Sequence, residues 1–343
     1  SSLTALTSGA NNTAVGTYAL EDVTTGTQNA AFGRNAALQL TTGNYNTAVG
    51  PYAMQNSTTG SSNTALGYAA QSGGITTGDA NTSVGSGAGT DITTGSNNTF
   101  IGRDAGKDVT TSDQNTAVGA TALDALTTGG QSVAVGYAAL TNATGGGNTA
   151  VGHDAMVAST TGTNNTAVGR SSLRNNTTGV DNVAIGYQAL FTNVSQSYQI
   201  AIGRNALYNH NSTSQYNVAI GYLAMTSATS GHESVAIGYE CLEAVTTSGN
   251  TTAVGYKAGE GLTTGSNNTL IGHTAGQHDV ILTTGQQNTV VGGRSNTSNA
   301  DSFQETVIGY NQTGAGSRTF KAGGSNGSYN EENNSAWQTT SDQ

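Results

Sequence analysis

Proline occurs once in this chain of 343 residues, at Pro51, and cysteine once, at Cys241. A single cysteine excludes an intrachain disulfide framework. Charged residues make up 9% of the chain, against roughly 25% in ordinary soluble domains. Lysine and arginine number ten together and the formal net charge is −10, so there is no basic stripe to hold nucleic acid. No apolar run approaches the ~18 residues that a membrane helix needs, and Ser1 to Gly9 carry no signal-peptide pattern. What the chain has instead is glycine, 49 residues of it, set among Asn, Thr, Ser and Ala. Disordered chains of similar polarity lack regularly spaced Val and Ile. This one has them, which points to β-repeats.

The motif Asn-Thr-Ala-Val-Gly, as at 46–50 and 165–169, recurs along the chain. Its closing glycines run from Gly16 to Gly309, eighteen in all, at steps that are mostly seventeen residues and range from sixteen to twenty. With each glycine as position 0, position −1 is always apolar, −2 is usually Ala, and −3 is usually Thr or Val. Position −4 is Asn in thirteen of the eighteen repeats. This period-two alternation predicts a short strand, with −1 and −3 on one face and Ala and Asn on the other. A second small column lies at +3, Ala in fourteen repeats, with Leu or Met often at +4. A polar turn follows, commonly Thr-Thr-Gly, as at Thr58-Thr59-Gly60. We therefore expect an all-β parallel β-solenoid (β-roll) of about eighteen coils over 1–309, each coil with two short strands and two turns. At ~4.8 Å per coil the stack would be on the order of 85 Å long. Stacked Asn side chains could form amide ladders. The recurrent glycine would mark a bend with positive φ or a close backbone approach.

One correlated exception supports this register. Position −2 becomes large at Phe100 and Leu270, and +4 of the same coil is then Gly106 or Gly276. The preceding coil also has glycine at +4, Gly89 or Gly259. Positions −2 and +4 are thus expected to share one packing layer of near-constant volume.

Each coil offers about four apolar side chains, many of them Ala, and so small a core is marginal alone. The Ala/Asn face is small, flat and uncharged, and we expect it to receive other copies of the chain, most simply as a homotrimer. The chain begins mid-repeat, with Ala5-Leu6 and Thr7-Ser8-Gly9 reading as the back half of a coil, so more rod is expected upstream. Residues 310–343, which carry Phe320, Tyr329 and Trp337, read as a C-terminal transition or cap.

Catalysis needs convergent titratable groups, and the sequence offers none. The five histidines form no ligand or base motif, the carboxylates are scattered, and no phosphate loop or nucleophile elbow occurs. No enzyme activity, cofactor or metal is expected. Cys241 occupies the +3 alanine column and reads as a small buried residue. The best candidates for recognition lie at +1: Tyr68, Arg103, Tyr137, Arg170, Tyr187, Arg204, Tyr222, Tyr239 and Tyr256, with Arg34, His153, His273 and Tyr310 in the same column. Tyr and Arg offer flat faces and hydrogen bonds to glycans or proteins. Tyr222, Tyr239 and Tyr256 fall on successive coils and could instead form a stiffening ladder.

The Asn-Thr-Ala-Val-Gly repeats resemble the left-handed β-roll heads of trimeric autotransporter adhesins, which have somewhat shorter repeats. They are more similar to the repeat shafts of bacteriophage tail fibres and related virion proteins. The terminal Trp337-Gln338-Thr339-Thr340-Ser341-Asp342-Gln343 resembles the junction before an endosialidase-type intramolecular chaperone, in which a Ser-Asp pair opens the chaperone. This resemblance implies a left-handed homotrimer, a chaperone downstream, self-cleavage near Ser341, and an extracellular place on a virion or a bacterial surface. The function it implies is mechanical: a stiff, non-enzymatic fibre segment that carries or presents host attachment to a glycan or protein receptor. The alternatives are a bacterial adhesin head and an ice-binding solenoid, the latter weakened because the paired threonines of the turn are adjacent and point opposite ways.

Overall fold

The computed structural model describes residues 2–211, 215–323, 328–331 and 338–339. It is an all-β parallel β-solenoid of about eighteen turns, with about seventeen residues per turn and no helix among the described residues. The chain forms two compact units, Ser1–Thr178 and Gly179–Gln343. In the first, strands β1 (Thr13–Val15) to β10 (Thr166–Val168) pair in parallel, each with the next. In the second, β11 (Val183–Ile185) to β18 (Thr306–Ile308) do the same, and β19 (Thr319–Ala322) extends the stack. The direction then reverses, since β20 (Ser328–Glu331) pairs antiparallel with β19. The register is the one the repeat dictates: Thr47 lies opposite Thr64, Ala48 opposite Ala65 and Val49 opposite Leu66.

Among the described residues each coil has one strand rather than two. The expected second strand, around +3 and +4, is a run of turns. Positions +2 and +4 both take the left-handed region, as at Tyr52 (φ 63°) and Met54 (φ 54°), so the backbone bends every second residue and cannot extend. The amides still bond along the stack: Leu20 N–H donates to Ala36 O at 3.0 Å and Asp22 N–H to Leu38 O at 3.1 Å. A leucine with positive φ is costly. Here its side chain is wholly buried, as at Leu20, Leu140 and Leu190, and burial offsets the strain.

The faces of the strand are the reverse of the expected assignment. Ala at −2 and Asn at −4 point into the coil, and Thr or Val at −3 and the apolar residue at −1 point out. The interior is narrow, so it takes alanine, and its turns carry carbonyls that need donors, so it takes asparagine. Asn46 is buried and its Nδ2 donates to Gly60 O at 2.8 Å and to Asn29 Oδ1 at 3.1 Å. Its backbone N–H donates to Asn29 Oδ1 at 2.9 Å. The same pattern repeats at Asn98 and Asn115, which gives a buried amide ladder along the stack. In water these groups would be solvated; inside, every one must find a partner.

The recurrent glycine is required twice over. Gly50 has φ +131°, and a Cβ there would stand 2.5 Å from Gly67 O of the next coil. Any side chain would push neighbouring coils apart.

The shared packing layer is present as expected. Phe100 is fully buried, and a Cβ on Gly106 would lie 2.6 Å from its Cδ1 and Cε1. A Cβ on Gly89, one coil earlier, would lie 3.0 Å from its Cδ2. Leu270 fills the same space beside Gly259 and Gly276.

Candidate functional site

Strand residues −3 and −1 and the residue at +1 all point outward on the same side of the glycine, so each coil contributes one row of three to the surface. The +1 column is where the sequence placed its recognition candidates. In the second unit it runs Tyr187, Arg204, Tyr222, Tyr239, Tyr256 and His273 on six successive coils. Tyr222 and Tyr239 stack with ring centroids 5.0 Å apart and planes 15° apart. Tyr239 and Tyr256 follow at 5.3 Å and 11°, and Tyr256 and His273 at 5.0 Å and 13°. The Arg204 guanidinium lies 5.6 Å from the Tyr187 ring centroid and 5.9 Å from that of Tyr222. The spacing is that of the strands beneath, so the ladder follows from the repeat.

At Tyr222, Tyr239 and Tyr256 this is the ladder that the sequence offered as the other reading of the column. Inside the ladder each ring covers its neighbours' faces, and water meets the ring edges and hydroxyls. Such contacts, at ~0.5–1.5 kcal/mol each, stiffen the stack. In the first unit the column is interrupted. Tyr68 meets Tyr52 edge-on at 5.8 Å, Tyr137 and His153 lie 5.0 Å apart, and Arg103 pairs with Asp104 at 2.8 Å. Arg170 is exposed. Two further stacked pairs lie off this column, Phe191 with Tyr208 at 5.1 Å and Tyr198 with Tyr216 at 5.4 Å.

The structure gathers charges that sequence reading left scattered. Glu240, Glu243 and Glu260 have carboxylate oxygens within 4.8 Å of one another. Lys257 bridges two of the three, with Nζ 2.7 Å from Glu240 and 2.8 Å from Glu260. The Lys257 hydrogen bond holds the Glu240 carboxyl below its ordinary range, and Lys257 itself is raised by both carboxylates. Tyr239 hydrogen-bonds Glu240, and this bond raises the phenol. In the first unit, Asp91 and Asp124 are both raised, chiefly by burial and then by the charge of Asp108 between their coils. Sequence distance hid these groups: residues seventeen apart are neighbours in a stack, and a scan for local clusters misses them.

Cys241 is buried in the alanine column, its Sγ 3.3 Å from Ala253 O and 3.4 Å from Ala258 O. Burial pushes the thiol up to about 12. His273 is a rung of the ladder, and His278 Nδ1 lies 3.0 Å from Asp279. The junction at Ser341 lies outside the described residues.

No known protein family matches the chain, and no curated protein matches it.

Proposed function

We propose that this chain is a structural, non-enzymatic segment of a homotrimeric extracellular fibre of the phage tail-fibre or virion-fibre kind, which carries or presents host attachment. The observation that carries the reading is the outward face of the strands. Val15, Leu66, Ile101, Ile185, Ile237 and Ile271 at −1 are all exposed. On four successive coils of the second unit −3 is also aliphatic, at Val183, Ile200, Val218 and Val235. Monomeric soluble proteins rarely expose a continuous apolar patch of more than a few hundred Å². A strip three residues wide offers about 50 Å² per coil, roughly 500 Å² over the ten strands of the first unit and roughly 400 Å² over β11 to β18 of the second. Patches of this size are the largest that a monomer usually shows, and they often mark an interaction surface. The partner supported by this reading is two further copies of the chain, with the left-handed coil that the adhesin-head resemblance implies.

The test is the mass of the intact particle by native mass spectrometry. A mass near three chains supports the fibre, and Ile185→Lys with Ile237→Lys should then dissociate it, because burying unpaired ammonium groups is prohibitive. A monomer in the unsubstituted chain overturns the reading. The face would then be a flat array of Thr-x-Val rows, as at Thr47/Val49 and Thr116/Val118, open to water. That arrangement favours the second reading, an ice-binding solenoid, which thermal hysteresis would test. The third, a bacterial surface adhesin head, shares the trimer and differs in what adjoins the segment.

A further inference from the structure

The turn before each strand carries a ladder of its own. At position −6 the backbone N–H of one coil donates to a side-chain oxygen of the next. Thr27 N–H donates to Asn44 Oδ1 at 2.8 Å, Asn44 N–H to Ser61 Oγ at 3.1 Å and Ser61 N–H to Asp79 Oδ1 at 2.7 Å. Asp79 N–H follows to Ser96 Oγ at 3.1 Å, and Ser96 N–H to Asp113 Oδ1 at 2.7 Å. The next residue in the column is Gly130, which has no side chain to accept the Asp113 N–H. Among the described residues that N–H meets no acceptor. The backbone demands this glycine, because a Cβ there would stand 2.8 Å from Asp113 O. Glycine recurs at Gly146, in the sixteen-residue step from Gly136 to Gly152, where a Cβ would stand 2.5 Å from Gly130 O. The ladder therefore breaks at Asp113, and no side chain of the column can mend it.

A cavity of about 320 Å³ opens at this break, lined by Asp113 and Gly130 and by Thr111, Thr128, Gln114 and Gln131. Its size is at the lower end for ligand sites, ~300–1,000 Å³, and suits one sugar ring better than a larger ligand. Ser96 holds Asp113 Oδ1, which fixes the carboxylate and leaves Oδ2 to a ligand. Gln131 Nε2 donates to Gln114 Oε1 at 3.2 Å, which ties the two amides together. No Lys, Arg or His lines the cavity, so an anion finds no counter-charge. The Asp113 carboxylate calls for a donor and its N–H for an acceptor. A metal cation brings no acceptor. A hydroxyl is donor and acceptor at once, and a sugar ring carries hydroxyls on adjacent carbons.

We propose that the cavity at Asp113 and Gly130 binds a single neutral pyranose, one hexose unit of a glycan. One ring hydroxyl accepts the Asp113 N–H, as the next coil's side-chain oxygen does elsewhere in the ladder. Its neighbour donates to the Asp113 carboxylate, a charge-assisted bond. The Gln114 and Gln131 amides and the Thr128 hydroxyl take the remaining hydroxyls. This site goes beyond the fibre reading and does not rest on it, since no residue of the outward strand face takes part.

The experiment is an NMR titration of the full chain with glucose, read at the Asp113 and Gly130 backbone amides, with calcium chloride and acetamide as competing chemistries. Glucose should shift both amides saturably. Asp113→Asn keeps an oxygen for Ser96 but loses the charge, and should weaken binding roughly tenfold. Asp79→Asn makes the same exchange in the same column away from the cavity, and should bind as the unsubstituted chain does. Thr128 is exposed, and Thr128→Trp should fill the cavity and abolish binding with the β-sheet circular dichroism intact. If Thr128→Trp does not fold, the comparison of Asp113→Asn with Asp79→Asn carries the test. The proposal is overturned if glucose gives no saturable shift, if Asp113→Asn binds as tightly as Asp79→Asn, or if a folded Thr128→Trp still binds. It is also overturned if calcium or acetamide saturates the shift at a lower concentration than glucose, which would assign the cavity to a cation or to a peptide group. A trimeric mass with no glucose binding leaves the fibre reading standing and removes this one; glucose binding by a monomer does the reverse.

Discussion

Phe100 and Gly106 offer a quantitative test of the solenoid's packing rule. Phe100→Ala removes a fully buried ring from a layer whose neighbours, Gly89 and Gly106, have no side chains to fill the space. The expected cost is at the upper end of the usual ~3–5 kcal/mol. Gly106→Leu alone should also be severe, since its Cβ would lie 2.6 Å from two ring atoms. The backbone itself would accept leucine: Gly106 has φ 58°, and Leu123 on the next coil has φ 54° with the same burial. The double variant Phe100→Ala/Gly106→Leu recreates the Ala117/Leu123 arrangement of that next coil. It should recover most of the loss, short of the space still open at Gly89. The coupling energy should therefore reach about 3 kcal/mol, the top of the range for residues in contact. Urea unfolding followed by circular dichroism would measure it, with amide exchange in residues 85–123 to locate the effect. Additive losses in the double variant would refute the shared layer.

Three further outcomes follow from the same structure. Asn98→Asp should destabilise by roughly 1–3 kcal/mol at neutral pH, because Nδ2 now donates to Asn81 Oδ1 at 3.0 Å and to Ser112 O at 2.9 Å, and a carboxylate would face both as an acceptor; a midpoint of urea unfolding equal to that of the unsubstituted chain would contradict the ladder. Asp91 and Asp124 titrate above their ordinary value in the folded chain, so the folded state binds their protons more tightly than the unfolded one. Their contribution then grows as pH falls toward the ordinary aspartate value and is lost as pH rises through the folded value. Asp124→Asn should flatten the pH–stability profile of the first unit in that window, whereas Glu240, which is lowered, loses its contribution only as pH falls below the ordinary glutamate range. Cys241, buried and raised to about 12, should resist alkylation at pH 8 in the native chain and react fully in denaturant; rapid native labelling would place the thiol elsewhere.

The sequence alone determined the coil. A seventeen-residue recurrence, with Val or Ile alternating with Ala before a constant glycine, admits one parallel register, because a slip of one residue would exchange every inward and outward side chain. The compensation of Phe100 by Gly89 and Gly106, and of Leu270 by Gly259 and Gly276, was also legible, since volume must be conserved in a close-packed layer. Alternation does not say which face is inside. Alanine and asparagine looked like a surface for another copy, yet only the closed coil reveals the turn carbonyls, such as Gly60 O, that need the Asn46 amide. Nor could the pattern show that +3 and +4 form turns, because leucine gives no warning that its φ will be positive. The grouping of Glu240, Glu243 and Glu260, with Lys257 bridging Glu240 and Glu260, exists only between coils. Stacking makes neighbours of residues seventeen apart, and what lies between two such neighbours is decided by the tertiary structure.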